Sequence, residues 1–153
     1  MQRYSQFPFP AYRYVPAELP HPMMVSKPSE QDEQFRFGVD LFNHGYFWEA
    51  HEVWEGLWVK SKNEEKLLLQ AVILYAAGLL KLRQDQLKDF SSLTTAGFHK
   101  LNNLNEIVFF NINISKWQGF ALNFKKRIEQ EKITVQNPWE EQDFPFIKLE
   151  EEL

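Results

Sequence analysis

The chain has 153 residues, of which 44% are hydrophobic and 16% aromatic; that is one domain's length with ample material for a core, and it excludes a disordered chain. The absence of cysteine excludes disulfide scaffolds, thiolate metal sites, cysteine nucleophiles and iron–sulfur clusters. Net charge is −4, and the only short basic run, Lys125 to Arg127, is followed at once by Glu129 and Glu131, so no counterion-releasing face for nucleic acid is expected.

Six of the eight prolines lie between Pro8 and Pro28, among Tyr4, Phe7, Phe9, Tyr12, Tyr14 and Val15. Proline fixes φ and restricts its predecessor, so residues 1–28 are expected to form an extended arm that lays its rings on the domain. A polyproline ligand for another protein is the alternative. The opening MQRYSQFPFPAYRYVP holds no apolar run of signal-peptide length. The longest apolar stretch, Leu67 to Leu82, falls short of the ~18–20 residues that cross a bilayer. A soluble, cytoplasmic protein with no membrane partner is the expectation.

Residues 29–134 are expected to hold five helices. Ser29 with Asp32 resembles a capping box, Phe35, Val39 and Phe42 follow at helical spacing, and Gly45 stops the first helix after Asn43-His44. The second helix runs from about Tyr46 to Lys60. The third is capped by Asn63 and runs to about Gln84, apolar on nearly every side. Phe90, Leu93, Gly97, Leu101 and Leu104 mark the fourth, near Asp89 to Asn103. Asn105 to Ile114 reads as a connector with a short extended piece. Ser115 with Gln118 opens the fifth, with Trp117, Phe120, Ala121, Phe124 and Ile128 on one face. Residues 135–153 read as an irregular acidic tail. The fold class expected is all-α, an irregular helical bundle around a central apolar helix.

The chemistry is concentrated in FWEAHEVWE, Phe47 to Glu55. At about 100° per residue, Phe47, Trp54 and Trp58 share a sector with His51 inside it. Glu55 lies beside His51, then Trp48 and Glu52, while Glu49 and Gly56 fall on the far side. On the third helix Lys81 shares a face with Gln70, Leu74 and Ala77. A lysine on so apolar a helix either snorkels to water or meets a carboxylate, and Lys81 facing Glu55 or Glu52 is the pairing expected.

Two readings of this cluster compete. In one, His51, the glutamates and Lys81 form a buried polar network that sets helix register. In the other, His51 with Glu52 or Glu55 is a site, catalytic together with Lys81, or a centre for zinc, iron or manganese with His44 and His21 as outside ligands. The third helix offers no Asp, Glu or His from Leu67 to Leu82, and His99 falls opposite the apolar face of the fourth. The second histidine of an H-E-x-x-H protease, a G-x-S-x-G elbow and a glycine-rich phosphate loop are all missing.

The run LFNHGYFWEAHEVWEGLW (Leu41 to Trp58), followed by LLQAVILYAAGLLKL (Leu68 to Leu82), resembles the bacterial and archaeal "domain of unknown function 309" family. FPAYRYVPAELPHP (Phe9 to Pro22) is similar to the lead of its longer members, so the resemblance spans roughly Phe9 to Leu104. It implies a compact all-α fold with a central helix, and it implies no activity. The motif positions it carries over are Asn43, Gly45, Glu49, His51, Glu52, Trp54, Glu55, Trp58 and Lys81, with His21 from the arm. After P-H-P, longer members continue with an aspartate and a G-H-S triplet; here the chain reads MMVSKPSEQD (Met23 to Asp32), which removes a second arm histidine as a ligand.

The function expected is a non-enzymatic module that binds a small molecule or protein partner beside Trp48, His51 and Glu55, with Trp54, Trp58 and Asn43 as further binding residues. A metal-dependent hydrolase or other enzyme using His51 with Glu52 or Glu55 is the alternative. No cofactor beyond a divalent metal is indicated. Surplus rings such as Trp139, Phe144 and Phe146 could serve a homo-oligomer.

Overall fold

The computed structural model describes residues 1–22, 25–104 and 108–150. It is an all-α bundle of five helices, α1 (Gln31–Asn43), α2 (Phe47–Trp58), α3 (Asn63–Arg83), α4 (Leu87–Asn102) and α5 (Ile114–Glu131). Before α5 comes a small antiparallel hairpin of β1 (Val108–Phe109) and β2 (Ile112–Asn113). α3 is the central element: it packs against both α2 and α4, and eleven of its residues are buried.

The helix boundaries follow local chemistry, with two shifts from the expected caps. α1 is capped by Glu30, whose carboxylate accepts from the N–H groups of Asp32 and Glu33, one residue past the anticipated Ser29. α5 is capped by Asn113, which accepts from Lys116 N–H, two residues before the anticipated Ser115. In both, the residue in extended conformation just ahead of the helix takes the capping role. Gly45 ends the α1 corner at φ +86, and a Cβ there would lie 2.3 Å from the ring of Trp139, so no other residue fits both backbone and space. Gly97 lets α4 approach α3, where a Cβ would stand 3.1 Å from the carbonyl oxygen of Ala71. The connector is a hairpin turning on Phe110 and Asn111, both at positive φ; its first part, Asn105 to Ile107, lies outside the described residues.

The core is built on rings. Phe42 alone meets Phe47, Trp54, Tyr75, Trp117 and Phe144, and Trp54 and Tyr75 are among its largest fully buried side chains. Aromatic clusters of this kind bury the most area per residue and prefer tilted or edge-on contacts. Phe120, anticipated on the packed face of α5, is half exposed instead, because Trp117, Ala121, Phe124 and Ile128 fill that face without it.

The chain after α5 is threaded into this core. Val135, Phe144, Ile147 and Leu149 are buried, and Leu149 bridges to Ile112. Phe144 is therefore core and no surplus ring, while the guanidinium groups of Arg13 and Arg83 lie over the ring of Trp139, at 4.7 and 4.9 Å. Two polar devices hold the segment. Arg127 forks onto Asp143 with both contacts at 2.7 Å. Asn43 exchanges two hydrogen bonds of 2.8 Å with the backbone of Ile147.

Asn43, expected among binding residues, is thus a buried latch for the chain 104 positions later. Asn43→Ala strands the buried N–H and carbonyl of Ile147 and is expected to cost about 2 kcal/mol or more. Urea unfolding followed by tryptophan fluorescence checks it; a change inside about 0.5 kcal/mol contradicts the latch.

Candidate functional site

Phe47, Ala50, Val53, Trp54 and Leu57 form the buried stripe of α2. That stripe is centred about 60° round the helix from the sector marked by Phe47, Trp54 and Trp58. Val53 and Leu57 pull the helix toward its neighbours, and Trp58 is left half buried under the ammonium of Lys66, 4.3 Å from its ring. The rotation moves every polar candidate on this helix.

His51, Glu52 and Glu55 swing outward. Their side chains are 27%, 40% and 49% exposed, so the cluster is a surface feature and no buried seam. His51 Nδ1 lies 3.5 Å from Glu52 Oε1, and Nε2 lies 3.6 Å from Glu55 Oε1, both longer than a hydrogen bond. The three side chains nevertheless offer ligand atoms within 4.8 Å of one another. His44 is not in this group: its Nδ1 is 2.8 Å from the carbonyl of Asp40, and its ring packs on Phe9. His21 packs edge-on against Trp48 and Tyr14. Trp54 is fully buried and donates to the carbonyl of Phe35, which makes it core and removes it from any surface site.

Lys81 makes no ion pair or hydrogen bond with Glu52 or Glu55. It sits half buried on the same stripe of α3 as Gln70, Leu74 and Ala77, a position from which a lysine can lay its stem on apolar surface and keep its head in water. The polar junction of α2 and α3 forms one turn away from the expected place, around Glu49 and Arg83.

Glu49 swings inward with the same rotation. The wheel alone assigned it to solvent, yet it is 2% exposed, because the arm crosses it. Its Oε2 accepts the N–H of Tyr14 at 3.0 Å, and its Oε1 has no hydrogen-bond partner. Burial pushes the Glu49 carboxyl above its ordinary range, against the Tyr14 N–H, its own backbone N–H, and the more distant Arg83 and Arg13. Burial and the charge of Arg13 together hold Arg83 below its ordinary range. Arg83 Nε donates to the carbonyl of Gln136, and Arg13 Nε to that of His44.

Two cavities open between arm and α2. One, of about 410 Å³, has His21, Lys27, Trp48 and Glu52 on its walls. Tyr14, His21 and Trp48 form a mutually edge-on trio there, with ring centroids 4.7 to 5.3 Å apart. The second, of about 330 Å³, lies among Phe9, Tyr12, Val25, Ser26 and prolines of the arm, with Glu49 on its helical wall. Tyr14, Arg13 and Arg83 were not among the candidates, and Glu49 entered only as a motif position carried over by the family resemblance. The nearest signal in the sequence is the density of rings in the arm, which requires a covered helix face beneath it.

Geometry and sequence together define a helical-bundle protein whose distinctive turn on α2 is roofed on one side by its own N-terminal arm. Residues 35–93 match the family model described as Domain of unknown function (DUF309), so the resemblance carried by Leu41 to Leu82 is borne out from α1 to the middle of α4. No curated protein and no solved structure matches the chain.

Two expectations follow for stability. Lys81→Met should change unfolding free energy by no more than about 0.5 kcal/mol, whereas a loss of about 3 kcal/mol would restore a buried pair. For Glu49 the sign runs against the usual acid case. Its folded pKa is raised, so the native state binds its proton more readily and this group's contribution rises as pH falls through that raised value toward the ordinary carboxylate range. Glu49→Gln keeps an acceptor for Tyr14, and should be at least as stable as the parent at pH 7, with the difference shrinking on acidification. Thermal melts of both proteins between pH 4 and 8 check this; a Gln variant that is less stable at pH 7 and recovers in acid contradicts it.

Proposed function

We propose that the chain is a non-enzymatic binding module that takes a small molecule in the groove between arm and α2, against Trp48 and His21. The observation that carries this reading is the groove itself. Its volume of about 410 Å³ lies in the range of small-molecule sites. One wall is a rigid pair of rings, Trp48 and His21, and its polar groups, Glu52 and Lys27, bear opposite charges. A flat molecule with an apolar face and a polar edge meets each of these demands. His51 is not on the walls of this groove; it lies half buried beside it, with its Nδ1 shielded from water.

The reading places no catalytic role on Lys81, and it leaves Trp58 out of the groove, half buried beneath Lys66. The expected partners remain a small molecule and no nucleic acid or membrane; among the described residues no helix is long and apolar enough to cross a bilayer. A screen of small aromatic compounds by ligand-observed NMR tests the proposal. Hits should be displaced from one common site, and Trp48→Ala should weaken them about tenfold or more. Hits that bind Trp48→Ala unchanged contradict the groove as the site.

A second reading has its own observation, the three ligand atoms of His51, Glu52 and Glu55 within 4.8 Å. One imidazole and two carboxylates can hold a divalent ion and leave a coordination position open, the ligand number of catalytic zinc centres. Under this reading the metal-bound position would serve hydrolysis, with no part for His44 or His21. The expected result is one zinc or manganese ion per chain after reconstitution, lost in His51→Ala while the fold is kept. No stoichiometric ion in the parent protein after reconstitution removes this reading.

A further inference from the structure

We infer that the groove between arm and α2 selects an aromatic α-amino acid, bound as a zwitterion with its ring against Trp48 and His21, its ammonium on Glu52 and its carboxylate on Lys27. This rests on the groove being a small-molecule site, and it adds the class of molecule that the charges of the groove select.

The starting point is the order of groups along α2. Trp48, Glu52 and Gly56 stand on successive turns of one helix face, about 6 Å apart along the axis. Glycine is the least favourable residue after proline in a helix interior, and its place at position 56 has a spatial cause. A Cβ there would lie 2.7 Å from Lys27 Nζ and 3.1 Å from Gln34 Nε2. The bare turn is the seat on which the Lys27 ammonium rests. The groove therefore runs from the ring of Trp48, with His21 edge-on to it, past the carboxylate of Glu52, to the ammonium of Lys27.

Charge selects the guest. Among the described residues, Lys27 and Glu52 line the same groove without pairing with each other. Glu52 Oε1 lies 3.5 Å from His51 Nδ1, longer than a hydrogen bond. Gln34 Nε2, beside Lys27 over Gly56, is itself a donor, to the carbonyl of Val53, and gives the ammonium no acceptor. A guest with one charge would satisfy one of the two groups and be repelled by the other, whereas a zwitterion complements both. In an α-amino acid the two charges sit on neighbouring groups of one carbon. With a charge-assisted hydrogen bond of about 2.8 Å at each end they bridge the gap between Glu52 and Lys27. The side chain leaves the same carbon toward Trp48, over Pro22, Val25 and Val53. A ring suits that end, because Trp48 and His21 offer it aromatic faces and edges. Glu52 and Lys27 both touch water, so each charge contributes a factor of about five in affinity.

The test is an amide NMR titration of the full chain at pH 7 with tryptophan, tryptamine, which lacks the carboxylate, and indole-3-propionate, which lacks the ammonium. All three should move the amides of His21, Trp48 and Val53, with tryptophan about fivefold the tightest. Lys27→Met should weaken tryptophan to the level of tryptamine without weakening tryptamine. Glu52→Gln should bring it to the level of indole-3-propionate. Gly56→Ala should act as Lys27→Met does, since its methyl group displaces the ammonium, while circular dichroism shows the helices kept. Equal affinity of the three compounds, or tryptophan binding that Lys27→Met and Glu52→Gln leave unchanged, overturns the zwitterion and leaves the groove a site for neutral rings. No shift at these amides with any of the three overturns the groove reading and this inference together.

Discussion

Two buried carboxylates hold the arm, and the cavities between arm and α2 exist only because it is held. Asp40 on α1 is fully buried and accepts from Arg3 Nε, Tyr4 N–H and Ser5 N–H at 2.8 to 2.9 Å. Glu49 on α2 does the same for Tyr14 N–H. An extended, proline-rich segment has no ladder or helix of its own in which to pair its amides, and a buried unpaired N–H is costly. The helices supply the acceptors. Between these anchors Phe7 and Phe9 lie on Phe37, Tyr46 and His44, and Gln84 reaches from the end of α3 to the carbonyl of Pro16. Without the two anchors neither cavity would have a roof.

The helices were legible because their signal is local. The apolar period in α1 and α4, the glycine stop at Gly45 and the long apolar run of α3 depend on neighbours three and four residues apart. The capping shifts are of one or two residues, where several polar side chains compete for the same amides. What was not legible depends on distant chain. Asp40 and Glu49 read as ordinary acidic positions on a helix, and their partners lie 35 to 37 residues earlier in a segment with no periodicity. Asn43 finds its partner 104 residues later. A wheel places side chains relative to one another and cannot say which arc a non-helical segment will cover.

That distinction redraws the F-W-E-A-H-E-V-W-E turn. The sequence draws the eye to His51 and Glu55, the conventional chemical residues, and the fold turns them to the surface. It buries Glu49, the member of the motif that the wheel had assigned to water. Arg83, two residues after Lys81 on α3, is the cation whose charge acts on the buried Glu49 without pairing with it, from the end of the helix where the arm and the Trp139 segment converge. The family-model match over residues 35–93 includes the turn; the cavities themselves depend on the arm.

The claim that buried carboxylates clamp the arm is tested most directly by amide hydrogen exchange in the intact protein and in Asp40→Ala. In the parent, the amides of Tyr4, Ser5 and Tyr14 should exchange far more slowly than in an unstructured chain. Asp40→Ala should release Tyr4 and Ser5 while Tyr14, held by Glu49, stays protected. Parent amides that exchange at unstructured rates, or a variant in which Tyr4 and Ser5 remain as protected as before, would contradict the account.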